Sequence, residues 1–242
     1  MKTFEELTTG LKKVKDSGFV KTHRSGDTGI GKTLEDLLGI HENNFAGPDG
    51  EDTELKATRK NTSSMLTLFT KSPLPKGINS ILRKEYGYPD DEFPNKLVLR
   101  TTIDSKDFNS IRGQKGFKIA YDGDKITILP YRKPIKYPMI QNPYWEKKDF
   151  EESIANKYRK LLLYVKADSK GLGENEEFHF NEAWLLQGFD FTKFKEQLDK
   201  GMLKIDIRLG LYPNGDYHDH GTGVRIQPDL LDLCFSKRER IL

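Results

Sequence analysis

The sequence predicts a mixed α/β fold, and three segments carry that prediction. Phe4, Leu7, Leu11 and Val14 recur at three- and four-residue steps, which lines up one apolar stripe on a helix. Leu203, Ile205, Ile207, Leu209 and Leu211 alternate with Lys204, Asp206 and Arg208, so a strand there is half buried with its charges on one face. Residues 161–166 are almost continuously apolar, as in a strand covered on both faces.

The remaining elements follow in order. Gly18 stops the first helix. A glycine-rich loop, residues 25–33 (SGDTGIGKT), leads into a short helix stopped by Gly39. After the polar turn Gly47-Pro48-Asp49-Gly50, residues 53–58 and 65–70 read as strands joined by the turn Arg59-Lys60-Asn61-Thr62. Pro73, Pro75, Gly77, Pro89 and Pro94 mark the middle as loop-rich. Strands are expected at 97–103, 117–121 and 125–129, with Asp122-Gly123 as a hairpin turn. Pro130, Pro134, Pro138 and Pro143 punctuate a crossover between two lobes. Residues 191–198 read as helix, and the tail from Pro228 as a last helix. The expected division is 1–135 and 136–242, with strands of the second part free to return to the sheet of the first.

A chain of 242 residues buries a core without disulfide or metal staples. Cys234 is the single cysteine, which excludes an intramolecular disulfide and a thiolate zinc cluster. The longest apolar run, residues 161–165, falls far short of the about 20 residues of a membrane span. The first residues, MKTFEELTTG, lack the apolar core of a signal peptide, so a soluble, cytoplasmic protein without a membrane partner is expected. The net charge of +3 names no partner, but it hides a gradient. Residues 1–55 carry 7 basic and 11 acidic side chains, residues 56–136 carry 17 and 8, and residues 137–242 carry 16 and 18. A basic middle between mildly acidic ends fits a localised polyanion-binding surface as well as it fits a solvated lysine-rich one.

Three segments are candidates for chemistry. Gly26–Thr33 matches the phosphate-loop pattern GxxxxGK[ST], in which Lys32 would reach terminal phosphates and Thr33 would hold magnesium. The context argues against an NTPase: no buried apolar strand precedes the loop, and the following helix is cut at Gly39. The second is Pro48-Asp49-Gly-Glu-Asp-Thr-Glu54-Leu55-Lys56. Glu54 and Lys56 are two apart on a strand and share a face, with Asp49 in the turn just before. Asp49, Glu54 and the backbone carbonyl of Leu55 suit Mg²⁺ with several waters retained. Such an ion polarises a phosphodiester and lowers the pKa of the attacking water, and Lys56 would place that water and offset charge. This is the arrangement of PD-(D/E)xK nucleases; the alternative is an ordinary strand with exposed charges. The third is His218-Asp219-His220-Gly221-Thr222-Gly223-Val224-Arg225. On a strand the two histidines face away from Asp219, and no third ligand is evident, so DNA readout by His, Asp and Arg is favoured over a metal site. A plain polar surface loop is the remaining reading.

Together these blocks resemble the MvaI/BcnI type II restriction endonucleases, relatives of the mismatch-repair nickase MutH. The resemblance rests on residues 28–38, Pro48-Asp49…Glu54-Leu55-Lys56, residues 66–73, residues 205–210 and His218-Asp-His-Gly-Thr222…Arg225, in that order along the chain. It implies a PD-(D/E)xK-like mixed sheet flanked by helices, with two lobes forming a DNA cleft, the first mainly catalytic and the second mainly for recognition. It places the catalytic acids and lysine on Asp49, Glu54 and Lys56, with Glu35 as a further acid, so that Gly26–Thr33 need not bind nucleotide. It places DNA contacts on Thr70, Lys71, Arg208, His218, Asp219, His220, Thr222 and Arg225. It implies Mg²⁺ as cofactor, a monomer, a CC-x-GG type of site, and a cognate DNA methyltransferase as genetic partner rather than stable subunit. Some relatives that read a central G·C pair have His where this chain has Thr70 and Gly223, which favours CCWGG. A MutH-like nickase and an NTPase using Lys32 are the alternatives.

Overall fold

The computed structural model describes residues 1–41, 47–132, 142–158 and 160–242. Pro134 and Pro138 of the expected crossover lie outside them. The chain runs α1 (Phe4–Asp16), β1 (Val20–Lys21), α2 (Gly29–Leu37), β2 (Thr53–Arg59), β3 (Leu66–Thr70), α3 (Ile78–Tyr86), β4 (Tyr88–Pro89), β5 (Leu97–Ile103), β6 (Lys115–Tyr121), β7 (Lys125–Arg132), β8 (Tyr144–Glu146), α4 (Lys147–Lys157), β9 (Leu161–Lys170), β10 (Glu177–Gln187), α5 (Phe191–Asp199), β11 (Lys204–Leu211), β12 (Tyr217–Asp219), β13 (Gly223–Ile226) and β14 (Lys237–Arg240). No described helix is long and apolar enough to cross a membrane.

Two compact units form, and each is discontinuous. One comprises Met1–Leu66, Ile154–Lys193 and Gln227–Leu242; the other comprises Thr67–Ser153 and Phe194–Ile226. The chain therefore passes between units several times; the expected boundary at 135/136 allowed for later strands to return to the first sheet. The cause is strand pairing: β2 pairs in parallel with the distant β9, so residues 161–170 complete the sheet begun at residue 53.

The sheet of the first unit has the order β1-β10-β9-β2, with β14 also on β10. Capping of α1 is reciprocal: Thr3 accepts from the Glu6 amide, and Glu6 accepts from the Thr3 amide. Its buried Leu7, Leu11 and Val14 pack with Ile30 and Leu34 of α2 against Leu55, Leu163, Val165 and Phe178. Leu162 and Tyr164, pointing the other way from β9, are buried too, which accounts for the continuous apolar run. Because Leu55 joins the helix side of the core, its neighbours Glu54 and Lys56 emerge on the opposite face. β2 is the outermost strand of this sheet order.

The second unit contains a sheet of order β3-β13-β11-β5-β4, with β12 also on β11, and a smaller sheet β6-β7-β8. Asp122-Gly123 does form the β6–β7 hairpin. β2 and β3, although adjacent in sequence, enter different sheets rather than pairing as a hairpin. The loop-rich middle contains α3, whose Ile78, Leu82 and Tyr86 stripe packs inward. That stripe stands at four-residue steps and was hidden by the flanking prolines and glycine. Phe69, Trp145, Phe150 and Phe194 stack edge-on and tilted in the core of this unit.

Candidate active site

A tight turn brings Asp49 back onto the start of β2. The Gly50 amide donates to the Thr53 carbonyl at 2.8 Å. A Cβ on Gly50 would lie 2.8 Å from the Lys2 carbonyl, so the close approach requires glycine. The turn lets Asp49 Oδ2 accept from the Leu55 amide at 2.8 Å, pinning the carboxylate next to the strand. Two residues apart on one face, Lys56 Nζ donates to Glu54 Oε1 at 2.7 Å. A second lysine, Lys157 at the end of α4, reaches the same oxygen at 3.2 Å.

Glu54 is 0% exposed, and its Oε2 has no hydrogen-bond partner among the described residues. Burial pushes its carboxyl above the ordinary glutamate range; Lys56 and Lys157 pull it down, and Asp49 adds to the rise. Burial pulls the Lys56 ammonium down, but Glu54 beside it, with Asp49 and Glu35, lifts it above its ordinary value. An orphaned buried carboxylate oxygen beside a second carboxylate is a fitting place for a hard divalent cation. Among the described residues no group of three or more His, Cys, Asp or Glu side chains is gathered for a metal. The donors at hand are thus Asp49, Glu54 and backbone, completed by solvent.

A cleft of about 300 Å³ opens beside this cluster, lined among others by Arg24, Lys32, Glu35 and Lys56. Glu35 comes from α2 and acts electrostatically on Lys56. The phosphate-loop match takes a different form from the one its pattern suggests. The helix begins at Gly29, inside the motif. A Cβ on Gly29 would lie 2.1 Å from the Arg24 carbonyl, so this glycine serves close packing. The buried Thr33 hydroxyl donates to the Gly29 carbonyl at 2.7 Å and accepts from the His23 amide at 2.9 Å. Lys32 donates to Asp36 at 2.8 Å. The two residues a nucleotide would need are engaged within the fold, which argues against the NTPase reading.

The second unit gathers the other candidates. Direct cross-strand partners project to the same side of a sheet. The pairings Lys204–Arg225, Asp206–Thr102, Arg208–Arg100 and Gly210–His218 therefore place Arg225, Asp206, Arg208, Arg100 and His218 on one polar face. Ile205, Ile207 and Leu209 are buried beneath it. His220 joins this face: its ring centroid is 3.8 Å from that of His218, and its amide donates to the Arg208 carbonyl. Asp206, 6% exposed, holds Arg225 at 2.7 Å and Arg208 at 3.5 Å, and accepts from the Thr102 hydroxyl at 3.0 Å. Burial, then His218, Arg208 and Arg100, hold the His220 pKa below its ordinary value.

Residues 8–235 match the model of the MvaI/BcnI restriction endonuclease family. The chain belongs to the MvaI/BcnI restriction endonuclease family. It is accordingly a site-specific deoxyribonuclease with the restriction-endonuclease fold expected from sequence. Among solved structures it is similar to a restriction endonuclease MvaI–cognate DNA substrate complex, at 31% identity and TM-score 0.88, with 100% of each chain covered. It is also similar to MvaI in the absence of DNA, at 32% identity and TM-score 0.60, again with 100% of each chain covered. A search of curated proteins found no match.

Within this family member the structure unites Asp49, Glu54, Lys56 and Glu35 in one unit, and Arg208, Arg225, His218 and His220 on one face of the other. Asp219 is on the opposite side of β12, where Asn79 of α3 donates to it at 2.8 Å. Tyr217 on that same side lies 3.4 Å from the Arg83 guanidinium, one helical turn beyond Asn79. Asp219 is thus an anchor of the strand to α3. Thr222 departs from the expected contact residue: it is 1% exposed, and its carbonyl accepts from the Lys71 amide. Thr70 is exposed at the end of β3, and the Lys71 ammonium is 3.4 Å from Asp149. Sequence reading missed Lys157, Asp206, Asn79 and Arg100. Of these only Asp206 carried a local signal, as an acid between Lys204 and Arg208.

The α3 contact has a testable consequence. Asn79→Ala removes a part-buried hydrogen bond to an exposed carboxylate and is expected to lower stability by about 1 kcal/mol. Chemical denaturation measures it; an unchanged midpoint would show that α3 does not anchor β12 through this bond.

Proposed function

We propose that the chain is a Mg²⁺-dependent type II restriction endonuclease. It hydrolyses double-stranded DNA at a short near-palindromic site of the CC-x-GG type, with CCWGG as the first candidate. It acts as a monomer in the cytoplasm, protected in the cell by a cognate DNA methyltransferase. One observation carries the chemistry: Asp49, Glu54 and Lys56 converge at the start of β2, and the buried Glu54 Oε2 has no hydrogen-bond partner among the described residues.

Asp49, Glu54 and the Leu55 carbonyl would hold the cation. When bound, it supplies a Lewis acid for the scissile phosphate and lowers the pKa of water. Lys56, kept protonated by Glu54, orients the attacking water and offsets charge that grows on the phosphate. Lys157 steadies the Glu54 carboxylate from its other neighbour, and Glu35 sets the local field on Lys56. In-line attack leaves a 5′-phosphate and a 3′-hydroxyl. Arg208 and Arg225, braced by Asp206, are suited to bidentate contacts with guanine O6 and N7. His218 and His220 share their face, and Thr70 and Lys71 border it. The match to the MvaI–DNA complex supports duplex DNA as the partner.

Purified protein incubated with a sequenced plasmid and Mg²⁺ is expected to produce discrete fragments with one common end sequence, and none with a chelator. Nicked circles alone, or dependence on activating proteins, would favour a MutH-like nickase. Random degradation would overturn site specificity. Binding to duplex DNA is expected to fall steeply between low and physiological salt despite the net charge of +3, because the basic residues are concentrated rather than spread.

A further inference from the structure

Arg100 occupies an unusual position for an arginine. It stands directly across the sheet from Arg208, cation beside cation. Like charges directly opposite one another destabilise a sheet. Arg208 has Asp206 to offset its charge, whereas the Arg100 side chain makes no ion pair or hydrogen bond among the described residues. Arg100 is exposed. Its guanidinium leans over Gly210, where an added Cβ would lie 3.2 Å from its terminal nitrogen and 3.6 Å from His220 Nε2. The missing side chain at Gly210 thus opens a shallow floor between two nitrogen groups. Arg100 and Arg208 both depress the pKa of His220, as a cationic cluster should.

From this we infer that Arg100 is a further DNA-binding residue, which takes a backbone phosphate beside the base-reading surface. The inference rests on the proposed reading of this chain as a duplex-DNA nuclease. The distinction from the neighbouring arginines is preorganisation. Asp206 holds Arg225 by a hydrogen bond at 2.7 Å and stands 3.5 Å from Arg208, so both arginines have a carboxylate to orient them for base readout. Arg100 has no carboxylate to aim it and is free to follow a phosphate, a contact that positions the duplex without reading its sequence. A phosphate oxygen arriving at Arg100 supplies the negative charge that this guanidinium lacks.

The test compares wild type with Arg100→Gln and Arg100→Ala in Ca²⁺, over a range of salt. The probes are 20-base-pair fluorescent duplexes with CCWGG at the centre or with the same bases scrambled. Both variants are expected to bind both duplexes about 3–10-fold more weakly at moderate salt. The slope of log affinity against log salt is expected to shrink by about 0.9, one phosphate contact. Relief of the Arg100–Arg208 repulsion should leave the melting temperature unchanged or raise it by up to about 2 °C. An unchanged salt slope would overturn the inference. So would a loss confined to the CCWGG duplex, which marks a base reader, or a lowered melting temperature, which marks a structural role. If wild type itself binds neither duplex in a salt-dependent way, the nuclease reading fails and not merely the role of Arg100.

Discussion

Asp49→Ala is expected to reduce Mg²⁺-dependent cleavage by at least about 10³-fold, roughly 4 kcal/mol of transition-state stabilisation. The substitution removes one of the two carboxylates available to the cation and leaves Glu54 buried with an unpartnered oxygen. It also removes the acceptor for the Leu55 amide, a loss of about 1 kcal/mol in stability. Asp49→Asn separates the two effects, because its side-chain oxygen can still accept from Leu55 while its charge is gone. Both variants should lose cleavage, only the alanine variant should lose stability, and both should bind the cognate duplex in Ca²⁺. Single-turnover cleavage and thermal melting read the two quantities. Retained cleavage by Asp49→Asn would refute the assignment.

Asp206→Ala is expected to have the largest effect on discrimination. One buried carboxylate braces Arg225 and Arg208, and Arg100 stands directly across from Arg208. Without it, cations remain together with less to offset them, and stability should fall by about 1–3 kcal/mol. Each bidentate arginine–guanine contact discriminates by about 1–3 kcal/mol. Misplacing two should shrink the preference for a cognate over a one-base-altered duplex by about 10²-fold. Competition binding in Ca²⁺ measures the ratio. If the ratio is unchanged while stability falls, Asp206 is a structural residue and the arginines are not aimed by it.

Elements governed by short-range rules were legible in the sequence. The stripe of α1, the alternation of β11 and the Asp122-Gly123 hairpin all appear where their spacing placed them. The proximity of the proposed trio was legible for the same reason: a turn followed by a strand puts Asp49, Glu54 and Lys56 near one another. Elements whose local signal is masked were not legible. Prolines and Gly77 around α3 concealed its apolar stripe, and the GxxxxGK[ST] match suggested a loop where the chain is already helical from Gly29.

By itself, the sequence determined which side chains share a face at the candidate centre and on β11, because both depend on residue parity along single strands. Tertiary structure alone decided their surroundings. The parallel pairing of β2 with β9 brings the end of α4 close enough for Lys157 to reach Glu54. The antiparallel pairing of β11 with β5 sets Arg100 against Arg208, and α3 supplies Asn79 as the partner of Asp219, which strand parity already turns away from the histidines. These contacts join residues far apart in the chain. Their energies come from strand register and burial, which no local spacing encodes.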